Sequence, residues 1–307
     1  MAPVQPDWPE GHRSGYVAVV GAPNVGKSTL INAFVGEKIA IVSSKPQTTR
    51  HRLLAILTRP DSQVIFFDTP GLHHPLHDLG EYMVRTARDA IADAEVILFM
   101  ADLSHGATGE DREAAAAVAK PGSRPVALVL NKADLATPEQ IEQRAREYRT
   151  LLPSDGVFTI SAANGSGIDD LLAWVTHQLP EGPRFYPEDQ VTDREERFLA
   201  AELIREQALL RLRKEVPHAI VVTVDEFDER PNGVVHIGAT VYVEKESQKG
   251  IVIGAGGATL KGISTAARAE IEHLLGRPVY LETWVKVRRN WRRDRAHLRD
   301  FGFRSRK

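Results

Sequence analysis

The octet Gly21-Ala22-Pro23-Asn24-Val25-Gly26-Lys27-Ser28 constrains this chain more tightly than anything else in it. It follows a short apolar run, residues 16–20, and opens a stretch with helical spacing, residues 27–35. A glycine-rich turn between strand and helix lets several backbone N–H groups face one phosphate, and the helix N-terminus adds positive potential. Lys27 is placed for the β- and γ-phosphates and the Ser28 hydroxyl for Mg²⁺, with Thr29 next in the helix. Such a turn needs a strand before it and a helix after it, which points to an α/β fold.

The first half of the chain alternates accordingly. Residues 53–57, 64–67, 96–100, 126–130 and 157–160 read as strands, and residues 110–119, 138–151 and 168–178 as helices. The pattern implies a mostly parallel sheet with helices on both faces and a ligand beyond the carboxyl ends of the strands. Further motifs fall on that edge. Asn131-Lys132-Ala133-Asp134 follows an apolar run. The Asp134 carboxylate can accept from both N1–H and the 2-amino group of guanine, whereas adenine would leave it buried and unpaired. The Lys132 stem can cover the base, and Asn131 can tie this loop to the first one. Asp68-Thr69-Pro70-Gly71 also follows a strand; Asp68 is suited to Mg²⁺ through a water, and the Gly71 N–H to the γ-phosphate. Between the first helix and the second strand, Thr49 is the expected further Mg²⁺ ligand, with Thr48 next in line. The backbone of Ser161-Ala162-Ala163 can back the guanine O6. The residues therefore point to GTP and GDP as ligands.

The length of 307 residues suits two domains of ordinary size. There are no cysteines, which excludes disulfides and thiolate chemistry and fits a reducing cytoplasm. No apolar run approaches the roughly 20 residues that cross a bilayer. Residues 1–14 read as a disordered leader, 15–180 as the nucleotide domain and 181–194, with Pro183 and Pro187, as a linker. Beyond it the pattern changes. Residues 195–214 read as a charged amphipathic helix, 219–226 and 234–243 as strands around Pro231-Asn232-Gly233, 258–275 as a helix and 279–287 as a strand. That order, α-β-β-α-β, is a small α+β domain over residues 195–290, followed by a basic tail, 291–307. From Lys286 to the end there are ten basic and two acidic residues, a local charge of +8 that should seek phosphate on RNA or on an anionic membrane surface. Trp284 and Trp291 are candidates for base stacking, with Trp284 the better candidate for a core position.

The order of these motifs, with Gly21–Thr29 and the segment Lys45-Pro46-Gln47-Thr48-Thr49-Arg50-His51 as they stand, resembles the translation-factor-related GTPases, and within them the Era family. Gly254-Ala255-Gly256-Gly257 after Ile251-Val252-Ile253 resembles the GxxG loop of a KH domain, which the family implies to be of type II. Residues 281–287 with Asn290 and Trp291 are similar to the family's C-terminal segment. The resemblance implies a GTP-hydrolysing assembly factor for the 30S subunit whose KH domain binds the 3′ end of 16S rRNA, cytoplasmic and loosely held at the inner membrane face. In a KH domain the GxxG backbone clamps about four nucleotides. Lys249, Ile253, Gly254, Ala255, Gly256, Gly257 and Lys261 are the expected RNA contacts, with Lys249 or Lys261 replacing the basic residue that such loops usually carry. The expected catalytic set is Asn24, Lys27, Thr49 and Gly71. Leu72 stands where many GTPases place a water-orienting glutamine, so hydrolysis should be slow; Asn24 matches the asparagine that coordinates K⁺ in related GTPases. Two other readings stay open: another ribosome- or RNA-modification-associated GTPase, and a non-catalytic adaptor using the basic tail. No stable protein partner can be inferred.

Overall fold

The computed structural model describes residues 8–119 and 124–304. Half of the expected leader, residues 1–7, and the end of the basic tail, with Arg306 and Lys307, lie outside the described residues. The chain forms two compact units. Among the described residues, the first takes in those up to Ala40 with Thr49–His74 and Met83–Asp193, and the second Ile41–Thr48, Pro75–Tyr82 and those from Arg194 on.

The first unit is built on a six-stranded sheet in the order β2-β3-β1-β4-β5-β6. Its strands are β1 (Arg13–Gly21), β2 (Leu53–Arg59), β3 (Ser62–Asp68), β4 (Val96–Asp102), β5 (Val126–Asn131) and β6 (Gly156–Thr159). β2 is antiparallel to β3, and every other neighbour is parallel. The helices are α1 (Lys27–Val35), α2 (Asp78–Asp93), α3 (Gly109–Val118), α4 (Pro138–Leu151) and α5 (Ile168–Gln178). β3 and β4 are buried along their whole length, as strands covered on both faces must be. Helix boundaries follow capping chemistry: Thr137 caps α4 and exchanges bonds with Gln140, and Thr108 does the same for α3 with Asp111. The sequence pattern predicts no helix at α2. Its buried stripe, with Met83, Val84, Ala87 and Ala90, is rich in alanine and so carries a weak apolar signal.

The segment after α5 is fastened to this sheet. The buried Gln63 side chain accepts from the N–H groups of Phe185 and Tyr186 at 2.7 and 2.9 Å and donates to the Tyr186 carbonyl at 2.9 Å. The Ser14 hydroxyl donates to the Pro183 carbonyl at 2.6 Å. Ile56 N–H donates to Val191 O and Leu54 N–H to the Asp193 carboxylate, at 2.9 and 3.0 Å. Burial and the neighbouring Tyr186 hydroxyl push the Tyr16 phenol up to about 12. The stretch that reads as a linker is therefore a strap on the first unit.

In the second unit, α6 (Glu196–Arg211) leads into a three-stranded sheet, β7 (Val221–Glu229), β8 (Val235–Val243) and β9 (Val279–Val287). β7 and β8 are antiparallel, β8 and β9 parallel. The parallel pair needs a crossover, supplied by α7 (Glu246–Ile253) and α8 (Ala258–Leu275). The expected α-β-β-α-β order is thus corrected to α-β-β-α-α-β. Ile251-Val252-Ile253 gives no helical signal in the sequence because β-branched residues favour strands. In the fold only Val252 of the three is fully buried, and it shares its helix face with buried Gln248 one turn earlier. Gln248 in turn accepts from the N–H groups of Glu244 and Lys245, closing the N-terminus of α7.

The two tryptophans exchange their expected places. Trp284 lies on β9 with 44% of its surface exposed, whereas Trp291 is fully buried. The Trp291 indole N–H donates to the Ala219 carbonyl at 2.8 Å, and its ring meets Phe301 edge-on and stacks near Phe303. The basic tail is accordingly folded as far as Phe303, through a single 3-10 turn and α9 (Arg295–Asp300).

Candidate nucleotide site and glycine-rich loop

The first loop joins β1 to α1 with a left-handed Asn24 (φ 65°) and Gly26 (φ 101°). A side chain at Gly26 would run into the Asn131 amide, so this glycine is required twice over. Lys27 is buried, and its ammonium donates to the carbonyls of Ala22 and Gly21 at 2.8 and 3.3 Å. Burial lowers its pKa to about 8, although the charges of Asp68, Asp111 and Glu110 pull the other way. Asn24 is exposed.

Three oxygen-bearing side chains converge at the start of α1. The Ser28 hydroxyl lies 3.0 Å from the Thr49 hydroxyl and 3.0 and 3.2 Å from the two Asp68 oxygens. Thr49 donates to the same carboxylate at 3.0 Å. The adjacent Thr48 hydroxyl is taken up by the Lys45 carbonyl at 2.6 Å. Of the two threonines, then, Thr49 joins Ser28 and Asp68. Thr69 is buried and bonds the Val19 carbonyl at 2.7 Å, which fixes the β3 end against β1. Gly71 lies against Pro23 so closely that an added methyl would sit 2.8 Å from the Pro23 Cα. Leu72 N–H donates to Gly21 O at 3.1 Å, and the Leu72 side chain is buried in the apolar core of the first unit.

Asn131 is the bridge between loops. Its amide donates to the Val25 carbonyl at 2.8 Å and accepts from Ala162 N–H at 2.9 Å. Ser161 and Ala162 are buried, and Ala163 and Asp134 are exposed. Lys132 has a left-handed backbone (φ 64°) and donates to Asp102 at 2.5 Å. Sequence reading missed Asp102, because nothing local marks it; only the β4–β5 register sets it beside Asn131.

In the second unit Gly254, Gly256 and Gly257 all have positive φ and form the turn between α7 and α8. A methyl on Gly254 would collide with Thr259. Ala255 and Gly256 are exposed, so the backbone stands open there. Ile253 and Lys249 belong to α7 and are half-buried, and Lys261 is exposed in the first turn of α8.

Two family models match the chain, a 50S ribosome-binding GTPase family over residues 16–132 and the KH domain over residues 215–292. The chain is 48% identical to the GTPase Era of Thermotoga petrophila over 292 residues, covering 94% of this chain and 97% of that one. The crystal structure of Era with MgGDPNP and nucleotides 1506–1542 of 16S ribosomal RNA superposes with a TM-score of 0.91 at 40% identity, over 95% of this chain and 99% of that one. An Aquifex aeolicus Era point variant bound to GDP and AlF4⁻ gives 0.91 at 41% identity, with the same coverage.

Proposed function

Because this chain belongs to the Era family of GTPases and carries a C-terminal KH domain, we propose that it uses GTP to control binding to the 3′ end of 16S rRNA during assembly of the small ribosomal subunit. The convergence of Ser28, Thr49 and Asp68 supports the nucleotide half of this reading more than any other single observation. Two hydroxyls and one carboxylate are all hard oxygens, as suits Mg²⁺: Ser28 and Thr49 would hold the ion directly and Asp68 through a water. When bound, that ion neutralises charge on the β- and γ-phosphate oxygens. Lys27 neutralises the phosphates directly, Asp134 selects guanine, and the Gly71 N–H detects the γ-phosphate. Leu72 has no group to orient water, so intrinsic hydrolysis is slow. The exposed, left-handed Asn24 is where a K⁺ ion would add charge relief; equal rates in sodium and potassium buffers would remove that part of the reading.

The turn at 254–257 supports the RNA half, since three positive-φ positions bring open backbone to a point between two helices. The related complex with 16S rRNA favours the small subunit as the destination. Crosslinking the GTP-bound protein to cellular RNA and sequencing the footprint tests this directly. The expected footprint is the 3′ end of 16S rRNA; one confined to 23S rRNA would overturn the assignment. RNA affinity measured with a GTP analogue and with GDP should differ, because coupling between the two ligands is reciprocal.

A further inference from the structure

The Lys132–Asp102 pair extends the nucleotide site beyond the sequence motifs. Asp102 ends β4 and Asn131 ends β5, and the two are register partners in the parallel sheet. Leu103 N–H donates to the Asn131 carbonyl at 2.8 Å, so the two strand ends are locked together. Asp102 is itself fixed on its other oxygen, which accepts from Ser104 N–H at 2.8 Å. It is 4% exposed. Burial would raise its carboxyl, yet the bonds from Lys132 and Ser104 hold it below the ordinary range. The backbone of Lys132 is set by its neighbours: Asn131 is tied at both ends of its amide, and Ala133 N–H donates to Ile160 O at 3.1 Å. What remains free to wander is the lysine's four-carbon stem, and Asp102 captures its far end at 2.5 Å.

We propose that Asp102 is a positioning residue for guanine-nucleotide binding: it anchors the Lys132 ammonium so that the aliphatic stem is laid out as a fixed wall of the base slot before the nucleotide arrives. The idea rests on the reading of Lys132 and Asp134 as the base-binding pair. A long side chain held in one rotamer costs the complex little further ordering entropy, which is the advantage of such an anchor. The ion pair engages only the ammonium end of Lys132, so the stem stays available to a base without breaking it.

Asp102→Asn tests this in the full-length protein. The amide keeps an oxygen for Ser104 N–H and nearly the same shape, but loses the charge that holds Lys132. Release of a fluorescent GDP analogue should be about tenfold faster in Asp102→Asn, as expected for coupled partners. In a Lys132→Met background the same change should alter release by less than about twofold. KM for GTP should rise with kcat unchanged, a split that general loosening of the fold would not produce. An equal acceleration in both backgrounds, or none in either, overturns the proposal. Should Asp102→Asn not fold, the cycle runs with Asp102→Glu, which keeps the charge and displaces it by one methylene; unchanged release there overturns the proposal as well. GDP and ADP affinities of the wild type are measured alongside. Absence of a guanine preference would remove the base-slot reading itself, whereas a preference together with wild-type release in Asp102→Asn removes only the role of Asp102.

Discussion

Nucleotide binding by this protein should take up a proton, and the amount is set by Lys27. Burial lowers this ammonium to about 8, more than two units below its ordinary value. A bound β-phosphate restores the charged form, so binding at a pH near or above 8 draws in the missing proton. With a pKa of about 8, the empty site lacks about 0.1 proton at pH 7.0, 0.5 at pH 8.0 and 0.75 at pH 8.5. Affinity for GDP should weaken correspondingly, roughly fourfold at pH 8.5 relative to its acid limit. Titration calorimetry in buffers of different ionisation enthalpy reads the uptake directly as the slope of apparent enthalpy. Stopping at pH 8.5 keeps the guanine ring itself from titrating. Lys27→Met should show weak binding with no buffer dependence. Uptake at pH 8.5 no larger than at pH 7.0 would show that burial does not depress Lys27, and the reasoning from its enclosure would fail. The sign for the empty protein is the same in origin. Between about pH 8 and 10.5 the unfolded chain binds more protons at this group than the folded one, so the destabilisation caused by the buried charge is full below pH 8 and fades as pH rises.

Three further outcomes are expected. Asp134→Asn should cost about 10²-fold in GTP affinity, since a charge-assisted bond worth about 1.5–3 kcal/mol is lost, and should cost xanthosine triphosphate less; competition binding measures both. Trp291→Ala should destabilise the KH unit by about 3–5 kcal/mol and Trp284→Ala by less than about 1, read by denaturant melts that resolve the second unit. Leu72→Gln should lower stability by about 1–3 kcal/mol rather than raise turnover, because its side chain lies in the apolar core; faster hydrolysis at unchanged stability would contradict this placement.

Much of this was legible in the residues, for physical reasons that differ from place to place. The bounds of α1, α4, α5 and α8 follow from local chemistry such as the Gly36 and Gly276 caps and the Thr137–Gln140 exchange, all of which act within a turn of helix. The nucleotide loops declare themselves because each needs particular residue types at fixed spacing. α7 was hidden by three β-branched residues whose preference lost to packing. α2 was hidden by alanine. Asp102 and the strap were out of reach for a different reason: Lys132 and Asp102 are thirty positions apart, and Gln63 is more than a hundred from Tyr186. Their pairing depends on which strands neighbour one another, a property of the sheet as a whole.

The strap also decides where the nucleotide-binding part of this chain can be cut. The prolines and glycine at 180–183 invite a boundary there. An excised fragment ended at Pro180 would strip the buried Gln63 amide of three partners, leave the Ser14 hydroxyl without its acceptor and bare the flank of Tyr16. It would also reopen the backbone of β2 at Leu54 and Ile56. A self-sufficient fragment has to extend to Asp193, and protease attack on the intact chain should spare residues 182–193 for as long as the sheet holds.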